Sequence, residues 1–177
     1  MGVAGAGKTT VGMELARRLG WRFYDADDFH SEANRQKMAA GIALTDLDRA
    51  PWLETIRHLI DRCVRDSTPA VIACSALKKN YRDLITRDVI TRDAITRDAI
   101  TPASSDIRFV FLNGPPELIA RRLAARKAHF FDPALLQSQL ETLEVPNDTT
   151  AITVDISLPP SEIVETLIRR LGLDPQS

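Results

Sequence analysis

The first residues whose types and spacing could do chemistry form a glycine-rich segment at positions 2–9. It reads Gly-Val-Ala-Gly-Ala-Gly-Lys-Thr and fits the pattern G-x-x-x-x-G-K-[ST]. Glycines allow backbone N–H groups to curve around phosphate oxygens, and the helix that follows adds the positive end of its dipole. Lys8 should reach the β- and γ-phosphates, and the Thr9 hydroxyl should bind Mg²⁺. The expected nucleotide-binding residues are Gly2, Val3, Ala4, Gly5, Ala6, Gly7, Lys8, Thr9 and Thr10.

Carboxylates follow the next short apolar segment. Residues 21–24 are rich in aromatic side chains and predict a strand that ends at Asp25, with Asp27 and Asp28 directly behind it. A carboxylate at a strand end that faces the γ-phosphate can hold Mg²⁺ through water, or it can bind the acceptor hydroxyl and take its proton. An acidic cap on the following helix is the alternative. His30 is expected to pack or to bond locally rather than to catalyse.

Basic side chains in two later segments could bind an anionic acceptor. Arg35, Lys37 and Arg49 lie in a charged stretch without helical or strand periodicity. Lys78 and Arg82 follow the third apolar segment, and on a helix two residues four apart point to one side. Together these side chains could hold a carboxylate, and an ordinary solvated surface is the alternative.

Two arginines one turn apart lie on a predicted helix at residues 116–127. Arg122 and Arg126 are followed by Lys-Ala-His-Phe-Phe. Arginines on a mobile lid can stabilise the charge that develops on a transferred phosphoryl group. A solvated basic helix face is the alternative.

Apolar periodicity indicates which elements must position these groups. Strands that alternate with helices predict an α/β fold with a parallel sheet, in which ligands bind at the carboxyl ends of the strands. A loop of the kind at residues 2–9 normally follows a strand, and we expect that first strand to lie upstream of residue 1. The predicted strands are 21–24, 70–74, 107–112 and 151–156, and the predicted helices are 8–19, 31–41, one beginning at Pro51, 116–127, 133–144 and 160–171.

A five-residue repeat interrupts this alternation. Ile-Thr-Arg-Asp followed by Val or Ala recurs from Ile85, Ile90 and Ile95, and Ile100 begins a further copy. Five residues turn a helix by about 500°, so successive isoleucines drift by about 140° and share no face. The tract is therefore expected to be a solvated helix extension or a loop, and deletion of residues 86–100 is expected to be nearly neutral. A solenoid of pentapeptides is the alternative.

Composition limits the classes of function. The 177 residues suit one domain, and 23 basic against 24 acidic residues give a net charge of −1, without the basic excess typical of nucleic-acid binding. Cys63 and Cys74 predict buried thiols in a reducing compartment. No apolar run approaches the roughly 20 residues that span a membrane. The default prediction is a cytoplasmic protein without nucleic-acid or membrane partners.

Taken in order, these segments resemble the gluconate kinases of bacteria and eukaryotes. The stretches 37–53 and 74–83 are the most specific, whereas the glycine-rich loop is generic to P-loop proteins. Ala4 and Ala6 stand where the family usually has serines, which removes hydroxyls and keeps the backbone cradle. The segments that carry the resemblance are residues 1–9, 25–27, 37–53, 74–83, 126–131, 139–144 and 154–156.

The resemblance implies phosphorylation of D-gluconate by ATP with Mg²⁺, in a nucleoside-monophosphate-kinase-like P-loop fold that often forms a homodimer. It also implies one kinase domain over residues 1–173, with an acceptor region at about 25–53, a repeat insertion at about 86–101 and a lid at about 122–135. Asp25 then belongs near the metal with Thr9. The implied roles are catalytic for Lys8, Asp27 and Arg126, nucleotide-binding for Arg122, and acceptor-binding for Asp27, Arg35, Lys37, Arg49, Lys78, Arg82 and His129.

Three other functions remain open at this stage. Another small-molecule kinase of the same fold, such as a shikimate kinase, would share residues 24–27 but not the stretch 37–53. A nucleotide-dependent switch lacks support, because the sequence has no Asn-Lys-x-Asp motif for guanine. A truncated copy that only binds nucleotide would be distinguished from a kinase by its lack of turnover.

Overall fold

Four short strands and seven α-helices alternate along the part of the chain that the computed structural model describes, residues 1–87, 89, 107–125 and 133–174. The strands are β1 (Arg22–Asp25), β2 (Ala70–Ala73), β3 (Val110–Asn113) and β4 (Ile152–Asp155). The helices are α1 (Lys8–Leu19), α2 (Glu32–Ala39), α3 (Asp46–Arg65), α4 (Lys79–Thr86), α5 (Pro116–Ala124), α6 (Pro133–Thr142) and α7 (Pro160–Leu171), with a 3₁₀ turn at Ala26–Phe29.

The strands form two parallel pairs. In the first pair β1 lies beside β2, with Asp25 opposite Ala73, and in the second pair β3 lies beside β4, with Asn113 opposite Asp155. Parallel strands connected through helices confirm the predicted α/β fold. Because the strands of each pair run the same way, their carboxyl ends meet at one edge, where the residues that follow β1 and β2 can form a common site.

Met1 and Gly2 connect the two strand pairs. The amino group of Met1 donates to the carbonyl of Val110, and the N–H of Leu112 donates to the carbonyl of Met1 over 2.9 Å. On the other side, the N–H of Gly2 donates to the carbonyl of Ser75 over 3.3 Å. The backbone that leads into the glycine-rich loop therefore lies between the ends of β2 and β3 and fixes the loop to both pairs.

Helix α3 begins at Asp46, and the prediction that it begins at Pro51 is wrong. The hydroxyl oxygen of Thr45 accepts from the N–H of Asp48, and the Asp48 carboxylate accepts from the N–H of Thr45 over 2.9 Å. This capping box starts the helix one and a half turns before the proline. Pro51 lacks an N–H for the carbonyl of Leu47, but Leu47 is exposed, so water can satisfy that carbonyl.

The buried apolar residues of the described chain form two clusters. The first cluster includes Leu15 and Leu19 of α1, together with residues of β3, β4 and α7. The second packs α3 against α4 through Trp52, Ile56 and Tyr81. The spacing of three and four along α1 and α3 predicted these buried faces, and the structure confirms them.

The first unit of the five-residue repeat belongs to the second cluster. Ile85 is 2% exposed at the end of α4, and Val89 is 4% exposed just after it. Ile85 lies one turn after Tyr81, so it continues that helix face into the core. The expectation that residues 86–100 contribute no buried side chain is therefore wrong for Val89. The later units lie outside the described residues.

The described helices include none that is both long and apolar enough to cross a membrane. Cys63 and Cys74 are free thiols, and Cys74 is buried, whereas Cys63 is only partly buried, so the prediction of a buried thiol is wrong for Cys63. Burial raises the pKa of Cys74 to about 11, which keeps this thiol protonated and unreactive at neutral pH.

Candidate active site

The glycine-rich loop presents backbone donors to open space at the start of α1. Gly7 has φ 92°, caps the helix without a side-chain hydrogen bond, and has no atom within 4 Å of the position that a Cβ would occupy. Gly5 has φ 81°, and a Cβ there would lie 2.7 Å from Leu123. The first turn of α1 also contains no acidic residue. The loop can therefore receive an anion on its N–H groups, as phosphate binding requires.

Thr9 and Asp25, the two predicted metal residues, lie together. The Thr9 hydroxyl donates to Oδ2 of Asp25 over 2.8 Å. Asp25 ends β1, and its Oδ1 accepts from the N–H of Asp27 over 3.1 Å, which fixes the carboxylate at the start of the 3₁₀ turn. A hydroxyl and a carboxylate oxygen beside a phosphate cradle are the hard oxygen ligands that suit Mg²⁺.

A cavity lies in front of the loop and contains both proposed catalytic groups of the described chain. The ammonium group of Lys8 donates to the carbonyl of Val3 over 3.1 Å, and Lys8 and Asp27 both line the cavity. The cavity is lined by residues of the loop, the turn after β1, α3, the segment after β2, and α6. They include Gly5, Gly7, Lys8, Thr9, Asp27, His30, Arg49, Trp52, Ser75, Tyr81 and Gln139.

The environment of Asp27 favours proton uptake. Asp27 keeps exposed surface, but the atoms packed around its carboxyl group partly desolvate it, which raises its pKa, and the nearby charges of Asp25 and Asp28 raise it further. The cation of Lys8 opposes both effects. The net result is a carboxylate that is a stronger base than an ordinary aspartate, which is the property needed to take a proton from an acceptor hydroxyl.

Of the basic residues predicted to bind the acceptor, Arg49 lines the cavity. Its guanidinium lies 3.4 Å from the Tyr81 hydroxyl and 3.7 Å from the Asp46 carboxylate. Lys78 donates to both oxygens of that carboxylate over 3.0 Å, and the Tyr81 hydroxyl donates to it as well. These hydrogen bonds lower the pKa of Asp46, with those from Tyr81 and Lys78 the largest causes. Asp46 is thus an internal counter-ion for two cations beside the cavity.

The predicted pairing of Lys78 with Arg82 on one helix face is wrong. Lys78 precedes the first residue of α4 as its cap. Arg82 is buried, and its guanidinium donates to the carbonyls of Ala76 and Leu77 over 3.1 Å each. Arg82 therefore holds the segment after β2 in place, and that segment lines the cavity.

Three further predicted residues bond away from the cavity. Lys37 pairs with Asp48 at 2.7 Å. Arg35 pairs with Glu32 at 3.0 Å and donates to the backbone carbonyl of His30 over 2.9 Å. Arg122 donates to the carbonyl of Ile156, just after β4, over 2.7 Å. Thr10 is exposed on α1, and Arg126 and His129 lie outside the described residues.

Two residues that were given no individual role in the sequence analysis contact the site. Oε1 of Gln139, on α6, accepts from the N–H of Ala4 over 2.7 Å. The carboxylate of Glu144 accepts from the N–H of Lys79 and supplies the cap that Lys78 does not provide for α4. Both lie in the stretch 139–144 that carried part of the resemblance, which was the only sequence signal for them.

Comparisons with known proteins identify the family of the chain. The family model described as shikimate kinase matches residues 4–171. A probable gluconokinase of Mus musculus is 48% identical over 164 residues, which is 90% of this chain and 89% of the relative. A gluconokinase structure from Sinorhizobium meliloti has a TM-score of 0.79 at 38% identity, and covers 97% of this chain and 89% of its own.

A sugar kinase structure from Janibacter sp. HTCC2649 matches with a TM-score of 0.83 at 38% identity, and the match covers 99% of this chain and 93% of the other. The phosphate cradle, the Thr9–Asp25 pair and Asp27 at the strand end thus occur in a chain that aligns with sugar-acid kinases over almost its whole length. The chain therefore belongs to the gluconokinase family of P-loop small-molecule kinases, within the wider group that the shikimate kinase model describes.

Proposed function

We propose that the protein transfers the γ-phosphoryl group of ATP to D-gluconate and forms 6-phospho-D-gluconate and ADP. The observation that carries the proposal is the common cavity of Lys8, Thr9 and Asp27, in a chain whose relatives are gluconokinases. The P–O bond between the β- and γ-phosphates breaks as the acceptor oxygen bonds to phosphorus. The acceptor proton passes to the carboxylate of Asp27.

In this proposal the loop and Lys8 stabilise the transition state. Charge spreads over the oxygens of the transferred group as it moves, and fixed donors aimed at those oxygens lower the barrier without reorganisation. The open N–H groups at the start of α1 and the ammonium of Lys8 are suited to that role. Thr10 and the backbone of Val3, Ala4 and Ala6 complete the proposed nucleotide site.

Thr9 and Asp25 are the residues that would hold Mg²⁺. When bound, the ion would neutralise charge on the β- and γ-phosphate oxygens. The hydrogen bond between the two side chains supports this assignment, because it keeps two oxygen ligands together beside the cradle.

For the acceptor carboxylate we propose Arg49 as the main partner, with Lys78 behind it. Arg49 already lies in the cavity, whereas Lys78 is held by Asp46 at its edge. Lys37 and Arg35 are proposed to support α2 and the turn at His30 through Asp48 and Glu32. Arg122, Arg126 and His129 are proposed to act from a lid at about 122–135.

The proposal is tested by an acceptor panel at fixed Mg²⁺ and ATP. ADP release is measured with D-gluconate, other sugar acids, shikimate and nucleoside monophosphates. The expected result is the highest kcat/KM with D-gluconate. A higher kcat/KM with shikimate or a nucleoside monophosphate would contradict the proposed substrate, and nucleotide binding without turnover of any acceptor would contradict the enzymatic function.

A cytoplasmic location and a homodimer are also proposed. The location is based on the composition of the chain, and the homodimer is based on the family resemblance. Light scattering on the purified protein across a concentration series distinguishes a dimer from a monomer.

A further inference from the structure

His30 is a buried polar residue for which the proposed mechanism has no use. It follows the 3₁₀ turn after β1, is 6% exposed, and lines the same cavity as Lys8 and Asp27. Its ring nitrogen Nδ1 is shut off from solvent and has no hydrogen-bond partner among the described residues. A buried polar atom without a partner costs roughly 1–3 kcal/mol of desolvation, so this histidine is kept beside the cavity at a cost in stability. Because Nδ1 is closed to solvent, Nε2 is the ring nitrogen that a ligand in the cavity can reach.

The imidazole is held in a fixed orientation. It stacks on the indole of Trp52 with ring centroids 4.5 Å apart and planes at 13°. The indole is fixed in turn, because its Nε1 donates to the carbonyl of Ala26 over 2.7 Å in a buried hydrogen bond. The backbone carbonyl of His30 accepts from Arg35 over 2.9 Å. A polar group fixed in this way loses little entropy when a ligand binds, which is how specificity is obtained at low cost.

The surroundings of the ring select its uncharged form. Burial, together with the guanidinium groups of Arg49 and Arg35, lowers the pKa of His30 to about 4. A neutral imidazole carries one N–H donor and one nitrogen acceptor. In either tautomer Nε2 presents one of these functions, and a hydroxyl group, which can donate or accept, complements both, whereas a carboxylate is better bound by the cation of Arg49 in the same cavity.

We propose that His30 is a specificity-determining residue whose neutral imidazole hydrogen-bonds a hydroxyl of the polyhydroxy acceptor. This inference rests on the proposed phosphorylation of a sugar acid in the same cavity. In this proposal two residues recognise the acceptor. Arg49 binds its carboxylate, and His30 binds one hydroxyl along its carbon chain.

The test combines a substitution at His30 with acceptors that each lack one hydroxyl. His30→Phe keeps an aromatic ring on Trp52 and removes both nitrogens. The matched control is His58→Phe, at a histidine on α3 whose side chain is 63% exposed. For each protein, kcat and KM are measured with D-gluconate, with the monodeoxy gluconates that keep the primary hydroxyl, and with ATP, and thermal unfolding is recorded.

We expect His30→Phe to lower kcat/KM for D-gluconate by about tenfold, the effect of one lost hydrogen bond in a desolvated site, and to leave KM for ATP unchanged. In the wild type, the analogue that lacks the hydroxyl bound by His30 should have a much lower kcat/KM than D-gluconate. In His30→Phe this analogue and D-gluconate should have similar kcat/KM values, while the ratios for the other analogues should not change. Because the substitution removes an unpaired buried nitrogen, the melting temperature should be equal or higher. The His58→Phe protein should match the wild type throughout.

Unchanged discrimination among all analogues by a folded His30→Phe protein would overturn the inference and leave the proposed function intact. If His30→Phe does not fold, His30→Leu also removes both nitrogens, and the same panel decides, with unchanged discrimination among the analogues again the contrary result. A wild type inactive on every sugar acid would overturn both proposals.

Discussion

At the residue scale, the polar groups of the cavity are proposed to contact two substrates. Lys8 and Thr9 would contact the phosphates, and Asp27, His30 and Arg49, which line the same cavity, would contact the acceptor. Substitutions in these two groups of residues should therefore affect different kinetic constants. Loss of a group that acts on the transferred phosphoryl lowers kcat, and loss of a group that binds the acceptor in ground and transition state raises its KM.

Lys8→Ala should lower kcat by about a hundred- to a thousandfold. The lysine is proposed to contact charge that builds on the transferred group, and loss of such a contact costs roughly 3–4 kcal/mol of barrier. Steady-state ADP release gives the rate, and circular dichroism checks the fold. Lys79→Ala is the control, because Lys79 pairs with Asp83 on the exposed face of α4. A Lys8→Ala protein within threefold of the wild type would rule out this role for the lysine.

Asp27→Asn should lower kcat by about a hundredfold or more, and should leave nucleotide affinity nearly unchanged. Asparagine keeps the shape but cannot take the hydroxyl proton. Calorimetric titration of ATP and turnover are measured on the same sample, with the neighbouring Asp28→Asn as control. Equal losses of affinity and rate would indicate a metal-binding or structural role for Asp27 instead.

The raised pKa of Asp27 adds a pH signature to that comparison. Below its pKa the carboxyl is protonated and cannot act as a base, so the kcat of the wild type should fall on the acid side. This fall should be centred above about 3.9, the pKa of an ordinary aspartate. The acid limb should be absent from the residual activity of Asp27→Asn.

At the element scale, the start of α3 links stability to acceptor binding. Its first turn carries Asp46 and Arg49, and the capping box of Thr45 and Asp48 fixes where that turn begins. The proline at position 51 suggested a later start, because proline is common in the first turn of helices. The cap pattern was present in the sequence, but the competing proline signal hid it.

Thr45→Ala should lower the free energy of unfolding by about 1 kcal/mol, since it removes the oxygen that accepts from the N–H of Asp48. Urea denaturation measures the loss. Thr55→Ala, in the middle of the same helix, is the control and should be neutral. We also expect a higher KM for gluconate in Thr45→Ala, because a frayed first turn displaces Arg49. A loss of stability without any change in the KM for gluconate would show that the helix cap has no effect on acceptor binding.

Much of this architecture was predictable from periodicity. Residues 8–19 and 160–171 form the helices expected from their apolar spacing. Three of the four described strands lie within a residue of their predicted positions, and β3 begins three residues later than predicted. Individual side-chain directions were not predictable. The guanidinium of Arg82 turns inward to two backbone carbonyls, and the stack of His30 on Trp52 joins residues 22 apart, which no local spacing encodes.

At the scale of the whole molecule, the two strand pairs and the two apolar clusters fix the glycine-rich loop relative to the residues that follow β1 and β2. The second cluster reaches from Ala26, beside the site, through Trp52 and Tyr81 to Val89 at the beginning of the repeat. A five-residue period cannot keep one face buried, so the sequence predicted exposure of the whole tract. The first unit is nevertheless buried at Ile85 and Val89, because it continues from the buried face of α4.

Val89→Ala should therefore lower the free energy of unfolding by roughly 2 kcal/mol, from about 0.8 kcal/mol for each buried carbon removed together with the cavity that is left. For a chain of this size that corresponds to a fall of about 4–8 °C in melting temperature. Val145→Ala, at a valine that is 66% exposed, is the control and should be neutral. An unchanged melting temperature for Val89→Ala would show that Val89 contributes nothing to the core.

The central claim is that this cavity transfers a phosphoryl group from ATP to the primary hydroxyl of D-gluconate. The most direct measurement is ³¹P NMR of the product after the protein is incubated with Mg²⁺, ATP and D-gluconate. Transfer to the primary hydroxyl should give one new phosphomonoester signal, split into a triplet by the two protons of a CH₂ group, together with an equimolar amount of ADP. A doublet, which indicates phosphorylation of a secondary hydroxyl, or ADP accompanied only by inorganic phosphate, would contradict it.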